Sequence, residues 1–571
     1  MYVETVPNRK SRPAVLLREA WREGKKIRKK TIANLTEWPA QKVAALKRVL
    51  RGEVGKSSAD AFAVEQSLPH GHVEAVLRVL RKSGLEDALG ARHSREKDLV
   101  VAMVAQRVLE PCSKLDTAGR LSKTTLSSEL GLGPTDENDL YRAMDWLLKR
   151  QGRIEKNLAA RHLGEGGMVL YDVSSSYYEG HSCALAHRGH DRDGSKGRPI
   201  IVYGLMTNAE GCPVALQVYP GNTGDPTTVP DQVGKLKEGF GLEKVILVGD
   251  RGMLTEAQLK NVREHPGLGW LSALRTEAIR KLVDDGKVHR SLFDERNLAE
   301  LTSPAYPGER LIACFNPFLA EERSRKRAEL LNCTEALLEK IRREVTRRTH
   351  KPLSTAEIGQ KVGRVINRYK MAKHFHVEIE RGTLSFSRRE ENIKREMELD
   401  GIYVVRTSEP AGRLCAADCV RGYKGLARAE RAFRTLKGLD LLVRPIFHHE
   451  DDRVRAHIFL CMLAYYVEWH MRKALAPLLF DDEELDADRK ERDPVAPAVP
   501  SLSARKKKTT HRTPEGLPVQ PFRSLMADLG TLCRNRCRFG EGPDAQILYR
   551  TTDPTPLQAR AAELLGLYPV A

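Results

Sequence analysis

The sequence predicts an α/β protein: a mixed sheet flanked by helices, carrying an α+β insertion and preceded by a small β-hairpin and a helical region. Three observations predict it. From residue 167 onward, short apolar runs alternate with helical patterns, the texture of a sheet with parallel pairing that is covered by helices. Upstream, from 72 to 163, apolar residues recur at helical spacing, as in "EAVLRVLRKSGLEDAL" and "EKDLVVAMVAQRVL". Between 276 and 420 the alternation breaks: a long charged helical pattern over 320–348 precedes strand-like "HFHVEIERGTLSFS" and "GIYVVRTS".

Taken in order, "PAVLLREAWREGKKIRKKTIA" (13–33) holds two short strand-like runs around a Glu-Gly turn, which reads as a hairpin with a basic second strand. Residues 40–66 read as helical. "LSSELGLGPTDENDLYRAMDWLLKR" (126–150) places a short helix, a Gly/Pro break with capping residues, and a second helix. That order is compatible with a helix-turn-helix and equally with a core packing unit. Then come "GMVLYDV", "PIIVYGLMTN", "PVALQVYP", a helix over 226–239, "KVILVGD", a helix over 255–264 and "LGWLSALR". Closing helices fall at 424–438 and 453–473. Past 480 the chain turns acidic, then Pro-rich, then basic, which is the composition of a linker or tail.

These changes of texture give the expected organisation. It comprises a hairpin plus helix over 1–66, a helical candidate DNA-binding domain over 67–165, and the first part of the α/β sheet domain over 166–275. An insertion over 276–420, closing helices over 421–478, a charged linker over 479–514 and a C-terminal segment over 515–571 follow.

Lysine and arginine number 95 against 76 acids in 571 residues, a formal charge of +19 with a pI near 9.4. Such an excess points to a partner carrying many phosphates. No run approaches the ~18 apolar residues that span a bilayer, and "HIFLCMLAYYV" reads as a buried helix. "MYVETVPNRK" lacks the apolar core of a signal peptide, so a cytoplasmic protein that joins the nucleoid when bound to DNA is expected. The ten cysteines are scattered, as reduced thiols are. "CAADC", "CRNRC" and "HSCALAHRGH" lack the paired spacing of closed zinc sites.

The chemistry gathers on three acids. Asp172 and Asp250 each end an uninterrupted apolar run, "MVLYD" and "VILVGD", so neighbouring strands would bring the two carboxylates to one edge of the sheet. Oxygen-only ligation favours magnesium or manganese. In "YKGLARAERAFRTLK" (423–437), Tyr423, Glu430 and Lys437 are seven apart, about 20° short of two helical turns, and project from one side; Arg434 falls about 40° away. Alone, Glu430 and Arg434 make an ordinary surface pair. Packed across the two Asp strands, Glu430 is the third carboxylate of a two-metal phosphodiester site, with Asp172 bridging. In "GNTGDP" (221–226), Asn222 or Asp225 reads as a turn former in preference to a ligand-orienting group, and His190 and Asp191 as members of a solvated loop in preference to DNA contacts.

"YDVSSSYYEG", "VYGLMTNAEGCPVALQVYPGNTGDPTTV", "LVGDRGMLT" and "YKGLARAERAFRTLKGLDLLVRPIFH" resemble the blocks of DDE transposases of bacterial insertion sequences. More narrowly, they are similar to the insertion-sequence-four superfamily with its Tyr, Arg, Glu, Lys signature. The resemblance spans roughly 70 to 470. It implies a ribonuclease-H-like catalytic domain, a metal-binding and catalytic triad of Asp172, Asp250 and Glu430, and two Mg2+ ions, for which Mn2+ can substitute. It makes Tyr423 and Lys437 grips on the transposon end. The signature arginine would stand at 426, where this chain has Leu426; Arg434 or Arg428 would replace it, and Arg434 shares the Glu430 face.

The implied function is a transposase that binds its element's ends as a homodimer. It cuts by metal-activated water, then transfers the freed 3′-hydroxyl into target DNA. The competing reading is a catalytically silent DNA-binding descendant, against which the presence of all three acids argues. A glycosidase would need paired carboxylates but no basic excess.

Overall fold

The computed structural model describes residues 1–8, 12–52, 62–194, 197–293, 297–539 and 545–567. The chain divides into two compact units. The smaller takes Met1–Gly71 and Gly530–Pro554, and the larger His72–Leu529 and Thr555–Pro569.

In the smaller unit Ala14–Glu23 and Lys26–Asn34 form the expected hairpin, and Tyr2–Val6 adds a third antiparallel strand. The helical reading of 40–66 holds for Ala40–Leu50 only; part of the remainder lies outside the described residues, and Phe62–Pro69 is a strand. Its partner is Cys533–Phe539, which also pairs with Gln546–Thr551. A strand whose partner lies at the far end of the chain has no local signature, so local periodicity misreads it.

The larger unit is built on an eight-stranded sheet. Its strands are β1 (Met168–Tyr177), β2 (Ile200–Asn208), β3 (Pro213–Tyr219), β4 (Val245–Val248), β5 (Leu268–Ala273), β6 (Leu298–Leu301), β7 (Arg310–Phe315) and β8 (Ile402–Thr407). The spatial order is β6-β7-β8-β5-β4-β1-β2-β3. Strands β1, β4 and β5 run parallel, and the other neighbours pair antiparallel. Strand β2 is buried along all but its last residue, which is why its sequence is apolar without alternation.

The segment expected as one insertion over 276–420 is divided. Strands β6, β7 and β8 extend the central sheet, and only the part between them stands apart. There, helices Pro317–Arg347 and Thr355–Arg368 and the hairpin Phe375–Glu380/Thr383–Arg388 enclose their own apolar cluster around Leu338, Ile358 and Leu384.

Three helices close the sheet: α1 (Ala416–Lys424), α2 (Leu426–Lys437) and α3 (Asp451–Leu475). The apolar run 457–467 lies wholly buried in α3. Around it pack Arg95–Leu109 and Glu137–Leu148, whose Leu140, Ala143, Met144 and Leu147 join the same core. The helix-turn-helix alternative fails, because Leu126–Glu129 is a single turn. Asp136 caps the second helix in a capping box with Asp139.

The stretch expected as a linker, 479–514, is held in place. Lys424 Nζ donates to the carbonyls of Pro494, Val495 and Ala496 at 2.6–3.2 Å, Arg421 donates to those of Arg489, Lys490 and Arg492, and Val495 is buried against the sheet. Cations supplied by α1 satisfy a backbone whose own composition reads as disordered. Of the C-terminal segment, Phe522–Gly530 and Pro556–Leu565 enter the core around α3.

Candidate active site

The stretch 423–437 is two helices. At Gly425 the N–H bonds back to Arg421 and Gly422, and α2 begins afresh at Leu426. Gly422 explains the close approach of α1 to the sheet: a Cβ there would lie 2.7 Å from Met168 Sδ and 2.9 Å from Leu271 Cδ2. The seven-residue arithmetic therefore holds within α2, for Glu430 and Lys437, and Tyr423 projects from the neighbouring helix.

Helix α2 packs on β1 through Leu426, Ala429, Phe433 and Leu436. The Phe433 ring meets Tyr203 edge-on, with centroids 5.7 Å apart. Leu426 is buried against Leu170, Ile246 and Val248, so an arginine at that position would put a guanidinium into apolar contact. That is the physical reason the signature can read Leu here.

The parallel pairing brings the two aspartates to the same edge of the sheet. Met168 faces Ile246, Val169 faces Leu247 and Leu170 faces Val248, where the ladder ends; Asp172 lies two residues further along β1 and Asp250 two residues past the end of β4. Adjacent strands are about 4.8 Å apart. Asp172 does not end its strand as the sequence suggested: β1 runs on to Tyr177 while β4 stops at Val248. The stop is local chemistry. Asp250 Oδ1 accepts from the N–H groups of Gly252 at 3.1 Å and Met253 at 2.7 Å, turning the chain away.

Asp172, Asp250 and Glu430 line one cavity of about 480 Å³. Burial is the main cause that pushes the Asp172 carboxyl up to about 7, and the charges of Asp250 and Glu430 push it further; the Val173 N–H and Arg192 pull the other way. The ligand oxygens of the three carboxylates do not all lie within 4.8 Å of one another. Among the described residues, the His/Cys/acid group whose ligand atoms all lie within 4.8 Å of one another is His162, Cys212 and His470, which includes no residue of "HSCALAHRGH"; the Arg161 and Lys473 cations beside it oppose a dication. Two-metal sites place their outer carboxylates on ions about 4 Å apart, so mutual contact is not required of them.

Four cations share the carboxylate cavity: Arg192, Arg434, Lys437 and Arg444. Lys437 Nζ is 2.9 Å from Asp193, and Arg444 approaches the same carboxylate at 2.7 Å. Burial draws Lys437 below its ordinary value while the bond to Asp193 opposes it. Arg434 is exposed, with no ion-pair partner among the described residues. Arg428 does not reach the cavity, because its guanidinium bonds the Ala209 carbonyl and Asp486. Tyr423 lies outside the cavity lining, half-buried beside Asp250 and Glu430, and burial raises its phenol.

Sequence reasoning did not single out Arg192, Asp193 and Arg444 as lining the cavity; Asp225, read as a turn former, opens the 3-10 turn Asp225–Thr228 and lines the cavity as well. Asp225 pairs with Arg192, whose N–H in turn reaches Ser175 Oγ at 3.3 Å, so the supposed solvated loop is pinned to the sheet. The available signal was the run of charges "HDRD" within reach of Asp172.

A family model described as "Transposase DDE domain" matches residues 168–467, more than half of the chain. The chain belongs to the DDE transposases. A second family model, "IS1634 family transposase, N-terminal domain", matches residues 3–65 and makes this the transposase of an insertion sequence, acting in DNA transposition. No curated protein matches. Seven chains of solved structures match the transposase. One is the piggyBac transposase in a synaptic complex with hairpin DNA, solved by cryo-EM: 10% identical, TM-score 0.33, covering 80% of this chain and 78% of that one. Among the described residues no helix of the transposase is long and apolar enough to cross a membrane.

Proposed function

We propose that this transposase cuts the ends of its insertion sequence and joins them to target DNA at a divalent-metal site formed by Asp172, Asp250 and Glu430. The observation that carries the reading is the shared cavity, lined by an aspartate on β1, an aspartate just past the parallel strand β4 and a glutamate delivered by the helix packed on β1. The order β3-β2-β1-β4-β5 at the heart of the sheet supports assigning the catalytic domain to the ribonuclease-H-like class.

The donor set fits the group. Three carboxylates offer hard oxygen ligands suited to Mg2+ or Mn2+, and Asp172, destabilised as an anion by burial and by its two neighbours, is the carboxylate a cation would relieve most. Bound divalent ions would supply an activated water and neutralise charge developing on a phosphodiester. Asp172 holds the central position, and Asp250 and Glu430 flank it from the turn after β4 and from α2. Arg434 projects where a phosphate of the bound strand would run. Lys437 and Arg444, anchored on Asp193, give the wall a fixed positive edge. Tyr423 supports the wall from behind Asp250, and Arg428 serves α2 through Asp486 rather than touching DNA. Action as a homodimer on paired ends completes the proposal.

Duplex carrying the DNA that flanks the gene, incubated with protein and Mg2+ or Mn2+, tests this. Wild type nicks it, and EDTA stops the reaction. Asp172→Asn, Asp250→Asn and Glu430→Gln each lose about 100- to 1,000-fold in cleavage while duplex binding survives. Full cleavage by any one variant removes that residue from the mechanism.

A further inference from the structure

Beside the carboxylate cavity lies a second one, of about 500 Å³, and Arg444 lines both. Its chemistry is opposite. Lys114 and Arg107 are 5% and 6% exposed on its wall, and neither has a carboxylate partner among the described residues. Arg107 spends its guanidinium on the carbonyls of Leu441, Leu442 and Cys112 at 3.2–3.4 Å, bonds that orient the charge without neutralising it. Glu450 is the one acid among the lining residues, and it lies 3.3 Å from Arg453.

Two buried cations without counter-charge cost stability unless an anion joins them. The neighbours record that cost. Burial, then Lys114 and Arg107, push His448 down to about 3, so the imidazole is neutral and adds no charge of its own. At the mouth, Phe447 is 57% exposed, an apolar face of the kind on which a nucleobase or sugar rests.

We propose that this cavity seats a phosphodiester of the DNA strand passing through the carboxylate cavity, held by Lys114 and Arg107. The inference rests on the DNA-cutting reading and adds to it a second, separate phosphate site. A strand lying across Arg444 passes from one cavity to the other, which favours a backbone phosphate over a free small anion.

The test is Lys114→Met. Removing a cation that is buried only to meet DNA should raise the melting temperature of the free protein, by about 2 °C. The same change should weaken binding of a fluorescein-labelled duplex of arbitrary sequence about tenfold and reduce the slope of log affinity against log salt by about 1. Equal affinity and slope for variant and wild type would overturn the proposal, and so would a fall in melting temperature, which would make Lys114 structural. If inorganic phosphate raises the melting temperature of wild type but not of Lys114→Met while their DNA binding stays equal, the cavity is a small-anion site and the proposal is wrong. Wild type that binds no duplex at all would instead sink the DNA-cutting reading beneath it.

Discussion

Two cavities adjoin at Arg444 and solve opposite electrostatic problems. In one, three carboxylates converge and the cations around them are partly committed to Asp193 and Asp225. In the other, Arg107 and Lys114 are buried with no carboxylate partner among the described residues. Only Arg444 pairs across the boundary among the described residues lining the two cavities, through Asp193. That each cavity keeps an excess of one sign points to a missing partner of the other: cations for the first, phosphate for the second.

Substitutions at the carboxylates should have the largest effect on this contrast. Loss of cleavage by about 100- to 1,000-fold with duplex affinity retained separates the acid cavity from the cationic one, where the expected loss is in affinity. Next comes Phe433, which is 5% exposed and fixes α2 against Tyr203. Phe433→Ala should cost about 3–5 kcal/mol in urea unfolding and lower cleavage as well, because Glu430 loses its platform; a cost below about 1 kcal/mol would show that α2 is held elsewhere.

The cationic cavity carries its own pH signature. Lys114 is drawn down to about 7, first by burial and then by Arg107, with Cys461 and Cys112 opposing; Arg453, His448 and His457 also face this region. The folded state therefore binds fewer protons than the unfolded one between about 7 and the ordinary lysine value near 10.5. The penalty is full below pH 7 and is relieved as pH rises. Between pH 6 and 9 the Lys114 contribution should change stability by on the order of 2 kcal/mol in favour of high pH, and Lys114→Met should remove that component from denaturant melts at the two pH values. The smallest effect is expected from Arg434→Ala, an exposed contact: a drop of about 1 in the salt slope of duplex binding and little change in thermal stability.

Much of the site was legible because its parts are local. Two apolar runs carrying aspartates and an amphipathic helix with Glu430 on its border are patterns a reader can see. What escaped depends on distant partners. Phe62–Pro69 looked helical because its neighbour in the sheet is Cys533–Phe539. The Pro-rich stretch near 495 looked unstructured because Lys424 and Arg421, which satisfy its carbonyls, sit some 70 positions earlier. Gly425 was legible as a residue but not as a break, since the contact forcing α1 onto the sheet is made by Gly422 against Met168 and Leu271. The second cavity left no motif at all, as Arg107 and Lys114 stand more than 300 positions before Arg444.

The central claim is that Asp172 ligates metal, and replacing its oxygen ligand by sulfur tests it most directly. Thiolate prefers softer ions than carboxylate does. For Asp172→Cys, cleavage of the flanking-DNA duplex should be lost in Mg2+ and partly restored in Mn2+, while wild type works in both. Equal loss in the two ions, or no loss in either, would contradict the account.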